Sequence, residues 1–147
     1  MPRIELSYEP PSNGWLHLRL SVNGQTSEFH ASDVPNNPIC DLADAIEKAA
    51  KGEPSFVWWH LEPDGYFMHF VPLGDKIEFR LEFSANSDRH KALSVVSVLA
   101  QREKILIVFW RFLRNFQSHQ YNEPHWPATD DSRMQTIKSL IARQNEG

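Results

Sequence analysis

Seven histidines and a single cysteine are the residues of this 147-residue chain best suited to chemistry, and their spacing decides what they can do. In "WLHLRLSVNGQTSEFHA" the Asn23-Gly24 pair reads as a two-residue hairpin loop, because both central positions of such a turn need positive φ. It sets His17 opposite His30 and Arg19 opposite Glu28. In "SFVWWHLEPDGYFMHF", residues 55 to 70, a two-residue Asp64-Gly65 loop sets His60 opposite His69. Two facing histidines are half of a metal site and need a third ligand. In line with His60 and His69 on the next strand stands Arg80, which repels a cation. His17 and His30 have only Glu28 nearby. His119 and His125 flank a Pro-containing loop with no cysteine or second pair. No metal and no cofactor is expected.

Nucleophilic chemistry finds little more support. Cys40 sits at the start of a helix, where the dipole can lower a thiol pKa. No histidine is fixed beside it by sequence, and a cysteine between Ile39 and Leu42 reads as a small buried apolar residue. Asp41 with Asp44, and Asp130 with Asp131, read as acids complementing helix N-termini. Glu62 reads as turn chemistry beside Pro63. The six glycines fall mostly in turns, and no Gly-rich phosphate loop is present. A non-enzyme is the expectation.

Composition bounds the scaffold. Hydrophobic residues make up 41% and charged residues 23%, a globular balance for one domain spanning residues 1 to 147. The net charge of −4 and the absence of a concentrated basic footprint argue against nucleic acid. Arg111 and Arg114 lie inside an apolar helix, as snorkelling arginines do. One cysteine excludes a disulfide framework and makes a reducing compartment the default. The longest apolar run, "ILIVFW", is far short of the roughly 20 residues a membrane span needs. The N-terminus has no apolar signal core. A cytoplasmic location is expected, with no membrane contact.

The elements that would position these residues follow from periodicity. Residues 3 to 9, 15 to 22 and 25 to 31 alternate as strands. Residues 39 to 50 have helical spacing that stops at Gly52. Strands return at 55 to 62, 65 to 72 and 76 to 83. Residues 88 to 118 carry two apolar stripes and read as one long helix, capped by Asn86, Ser87 or Asp88. A last amphipathic helix covers about 131 to 144. The expectation is an α+β fold of order βββαβββαα: one antiparallel six-stranded sheet made of two three-stranded meanders, with the helices on one face.

Register then sorts the second hairpin into two faces. The two-residue loop puts Val57, Trp59, Leu61, Tyr66, Met68 and Phe70 inside. A three-residue Pro-Asp-Gly loop would shift the pairing by one and bring His60 and Glu62 inside instead. The first choice buries more apolar surface, at about 1.5–3 kcal/mol per large side chain. It leaves Phe56, Trp58, His60, Phe67, His69 and Val71 on the other face, beside Glu78 and Arg80. The first meander adds Trp15, His17, Arg19, Glu28 and His30 to that face if both belong to one sheet. Contiguous aromatic and arginine surface marks a partner site. The bland alternative is a second face covered by the C-terminal segment or by a dimer.

An apolar strand ending in "EPDGY", an alternating strand, a long aromatic-rich helix and then "YNEPHW" together resemble small uncharacterised bacterial proteins. Some of these resemble immunity proteins encoded beside polymorphic or contact-dependent toxins. The resemblance covers roughly residues 38 to 126 and carries over no functional residue. It implies a compact, acidic, cytoplasmic, non-catalytic protein that blocks a toxin by binding it. The expected function is thus protein binding through Trp15, His17, Trp58, His60, Phe67, His69 and Arg80. One alternative is a homo-oligomer pairing through its wide helix face or aromatic sheet face. The other is a ligand-binding protein or enzyme with a pocket near His90, Glu62 or Tyr121.

Overall fold

The structure, a computed structural model, describes residues 3–11, 14–32, 37–118 and 131–143. His119, Tyr121, His125 and Asp130, named above, lie outside them. Strands β1 (Ile4–Tyr8), β2 (Trp15–Val22) and β3 (Gln25–Ser32) form an antiparallel sheet in that order. Asn23 and Gly24 take φ values of 52° and 87°, the left-handed pair the turn requires. The register is the expected one: Val22 faces Gln25, Leu18 faces Phe29, Arg19 faces Glu28, and His17 faces His30. Leu16, Leu18, Leu20, Val22, Phe29 and Ala31 point into the core.

Helix α1 (Pro38–Ala50) follows. Asn37 caps it, accepting from the N–H groups of Ile39 at 3.0 Å and Cys40 at 3.3 Å, with Pro38 in the first turn. Beyond α1 the chain builds a second sheet rather than extending the first. Strands β4 (Ser55–His60), β5 (Gly65–Leu73), β6 (Lys76–Ser84) and β7 (Leu93–Gln101) form a four-stranded antiparallel sheet in sequence order. The expectation of one six-stranded sheet is therefore wrong: there are two separate sheets, of three and four strands. Strand β3 touches the second sheet through side chains, with Phe29 edge-on to Trp59 of β4 at 6.0 Å and stacked on Tyr66 of β5 at 4.5 Å, but shares no ladder with it.

The seventh strand comes out of the expected long helix. Asp88 does cap a helical turn, accepting from the N–H of His90 at 3.0 Å, but that turn is only a short 3₁₀ segment, Arg89–Lys91. Residues 93–101 then pair with β6. Three valines and period-two burial of Val96, Val98 and Ala100 opposite Leu81, Phe79 and Ile77 favour the strand. Helix α2 (Arg102–Ser118) begins only where Arg102 donates its N–H to the Asp75 carbonyl at 2.9 Å and its guanidinium to the Gly74 carbonyl.

One core joins both sheets to the helices. Helix α2 buries Ile105, Leu106, Phe109, Phe112, Leu113 and Phe116, and α3 (Asp131–Arg143) adds Met134, Ile137 and Ile141. Phe109 meets Phe70 edge-on at 5.0 Å and Phe79 at 5.1 Å. Trp59 is fully buried. Among the described residues, no helix is long and apolar enough to cross a membrane. β7 is an edge strand of its sheet and carries no charged residue, while Leu93 and Leu99 on it are exposed.

Candidate functional site

The hairpin of residues 55 to 70 closes through neither expected loop. Leu61 donates its N–H to the Asp64 carbonyl at 2.8 Å, and a four-residue turn containing the cis Glu62–Pro63 bond joins the strands. Trp59 consequently faces Tyr66 instead of Phe70. His60 faces Gly65 and His69 faces Phe56, so the expected His60–His69 pair does not exist. The slip is an even number of residues, and strand side chains alternate with period two, so every side chain keeps its expected face. Leu61 and Glu62, expected in the strand, lie in the turn instead.

The outer face of the four-stranded sheet gathers Phe56, Trp58 and His60 from β4, Phe67 and His69 from β5, and Glu78, Arg80 and Glu82 from β6. Trp58 stacks parallel to Phe67 at 6.5 Å and touches the His60 ring at 4.7 Å. Phe56 lies 5.7 Å from His69 and 6.2 Å from Phe67. The structure thus brings five of the seven sequence-nominated residues together. Trp15 and His17 lie on the other sheet and belong to a different surface. There the His17 ring stacks on His30 at 4.4 Å, with Nδ1 3.2 Å from Glu9.

The site has a cover that the sequence reading missed. The β6–β7 connection folds back over the outer face. The Arg89 guanidinium sits 4.3 Å from the centre of the Phe56 ring, a cation–π contact. Ser87 packs against Gly65 so closely that a Cβ there would stand 2.6 Å from the Ser87 hydroxyl and 2.7 Å from Trp58 Nε1. Phe67 is only 3% exposed although it points away from the core, whereas Phe56 stays 42% exposed. Among the described residues, this connection partly shields the second face. The polar string "SANSDRHKA" was the available signal, but it reads equally well as a helix cap.

Beneath the aromatics lies a charge network. Glu82 joins His69 Nε2 at 3.0 Å to Arg80 Nε at 2.9 Å, and Arg80 continues to Glu78 at 3.0 Å. Both contacts with Glu82 lie off the line of a good hydrogen bond, and only the one to Arg80 is an ion pair when His69 is neutral. Burial pushes the His69 pKa down; Glu82 pulls it up, and Arg80 and Arg89 push it further down. A neutral imidazole in a half-buried charge network is a structural element with a polar edge. Catalytic use would need a nucleophile or a substrate cavity beside it. Burial, with Asp41 and Asp44 adding to it, pushes the Cys40 thiol pKa up, the opposite of activation. Among the described residues, no three metal-ligating side chains lie close enough to hold an ion. Glu62 and His90 are exposed and line none of the surface grooves described here.

No protein-family model matches the chain, and no curated protein matches it. Among solved structures it is similar to a chain of the CdiA-CT/CdiI toxin and immunity complex from Enterobacter cloacae, at 12% identity over 100% of both chains and a TM-score of 0.37, a likeness too loose to carry an argument.

Proposed function

We propose that this chain is a non-enzymatic protein-binding module that uses the outer face of the four-stranded sheet, centred on Phe56, Trp58 and His60. The observation that carries the reading is Phe56: a phenylalanine 42% exposed on a rigid strand, held from one side by Arg89 and backed by buried Phe67. Exposed aromatic area held in a fixed rotamer loses little entropy on binding, which is what hot-spot residues need. A groove continues the surface from Phe56 and Trp58 to Asp41, Asp44 and Lys48 of α1. Phe67, His69 and Arg80 support the site from below rather than reaching a partner.

The specific form supported by the sequence resemblance is a toxin-neutralising immunity protein, in which binding alone is the activity. Immobilised wild-type chain and the Phe56→Ala/His60→Ala variant, used to capture proteins from an extract of the native cells, test the reading. A partner kept by wild type and weakened about tenfold or more in the variant supports it. Equal capture by both sinks the surface. Trp58→Ala is a poorer probe, because Trp58 also packs on Phe67 and the hairpin turn.

A further inference from the structure

One helix of this acidic chain carries a net positive charge. Helix α2 carries Arg102, Lys104, Arg111 and Arg114 against Glu103 alone, while α1 carries Asp41, Asp44 and Glu47 against Lys48. The outward side of α2 presents Lys104, Ile107, Val108, Arg111, Arg114 and Asn115, spaced at three and four residues so that they form one stripe. Lys104, Arg111 and Arg114 are exposed; Ile107 and Val108 are half-buried between them.

A groove runs along each side of this ridge. On one side β1 faces Val108, Arg111 and Phe112. On the other side Lys138 of α3 faces Ile107, Trp110 and Arg114. Arg111 and Asn115 line both. The Trp110 ring holds two of the cations in place, with Arg114 at 5.6 Å and Lys138 at 5.2 Å from its centre. Its Nε1 donates to the Met134 carbonyl at 2.9 Å, which fixes the ring. Among the described residues, no carboxylate forms an ion pair with Arg111, Arg114 or Lys138. The nearby Glu5 is already bridged by Arg3 at 2.7 Å. Clustered like charges favour the arrival of a counter-charge.

We propose that the α2 ridge is a second docking surface, separate from the aromatic sheet face, for an acidic amphipathic segment of a protein partner. Charge complementarity sets the sign of the partner. The apolar strip sets its class: Ile107 and Val108 in the middle of the stripe call for apolar side chains flanked by carboxylates, as on a helix lying in a groove. A nucleic acid would want an open aromatic face to stack on. Trp110, the aromatic ring at the ridge's cationic end, is only 3% exposed, and Arg114 and Lys138 already lie against it.

The test measures anisotropy of a fluorescently labelled synthetic helix bearing a leucine stripe flanked by glutamates. A lysine-for-glutamate version and a single-stranded DNA oligonucleotide serve as comparators. The glutamate peptide should bind the wild-type chain and lose about tenfold in affinity between about 50 and about 300 mM salt. Arg111→Glu/Arg114→Glu should weaken it at least about tenfold with an unchanged circular dichroism spectrum, since both side chains are exposed. Phe56→Ala should leave it intact, which separates this surface from the aromatic one. No binding of the glutamate peptide, equal binding of the lysine peptide, indifference to the charge reversal, or tighter binding of the oligonucleotide would each overturn the proposal.

Discussion

The outer faces of the two sheets use the same residue types and reach opposite outcomes. On the three-stranded sheet His17 contacts Glu9, and Arg19 bonds Glu28 at 2.6 Å, with Arg19, Glu28 and His30 exposed. On the four-stranded sheet His69, Glu82 and Arg80 make a comparable string, but with side chains 14%, 16% and 32% exposed. The difference is the connection after β6, which lies over one face and, among the described residues, has no counterpart over the other. Water screens the first network, so its ion pairs add little stability. The second is sheltered, and there burial competes with charge to set the His69 titration. A histidine, a glutamate and an arginine in register do not define a site; what lies on top of them does.

Substitutions at equivalent places should separate the two faces. The largest contrast is Phe67→Ala, expected to cost about 3–5 kcal/mol, against His30→Ala, expected within about 0.5 kcal/mol. Urea midpoints measure both, and similar losses would mean that the β6–β7 cover does not hold in solution. Next come the hairpin glycines. Gly65→Ala forces a Cβ into Ser87 and Trp58 and should cost about 2–3 kcal/mol. Gly24→Ala has open space around it and should lose only about 1 kcal/mol, for its φ of +87°. A reversed order would break the comparison.

Smaller effects sharpen it. Arg89→Ala removes one cation–π contact and should cost about 0.5–1 kcal/mol, while Arg19→Ala should stay within about 0.5 kcal/mol. Titration gives the finest distinction. The folded-state pKa of His69 is below its ordinary 6.5, so the unfolded chain takes up the proton first as pH falls. The stability tied to neutral His69 is therefore complete above about pH 6.5 and is lost as pH drops from there through the lower folded value. His69→Gln should flatten that part of the stability-versus-pH curve. An unchanged slope would show that His69 stands in water as His30 does.

The pattern of what could be read in advance has a physical basis. The Asn23-Gly24 turn admits one loop length, so the β2–β3 hairpin was legible down to the His17–His30 pair. The Pro63-Asp64-Gly65 string admits several turns, so the pairing of His60 and His69 was misread. Their faces survived because alternation forgives even slips. The strand at Leu93–Gln101 hid because its valines also fit the apolar stripes of the helix that follows, and because Asp88 offered a real cap to a very short turn. The separation of the sheets is a matter of whether β3 and β4, joined through α1, share a ladder, a long-range arrangement that local periodicity does not encode. The site suffered accordingly: five nominated residues converge, while Trp15 and His17 were assigned to a surface they do not share. Arg89 and Glu82, the residues that shape it, had no distinguishing pattern.

Strand β7 has a consequence for handling the protein. Natural sheets usually discourage end-to-end addition with a lysine, a proline or a short outermost strand. Nine residues, Leu93 to Gln101, offer none of these. Among the described residues, the irregularity opposite Leu81 and Glu82 interrupts the strand, and the Gln25 side chain covers part of it, its amide donating to the Val95 carbonyl at 3.3 Å. Both guard the first half of the strand. The stretch from Ser97 onward is accordingly the part of β7 open to edge-to-edge addition, and one lysine at exposed Ser97 or Leu99 would serve there as a gatekeeper without touching the core.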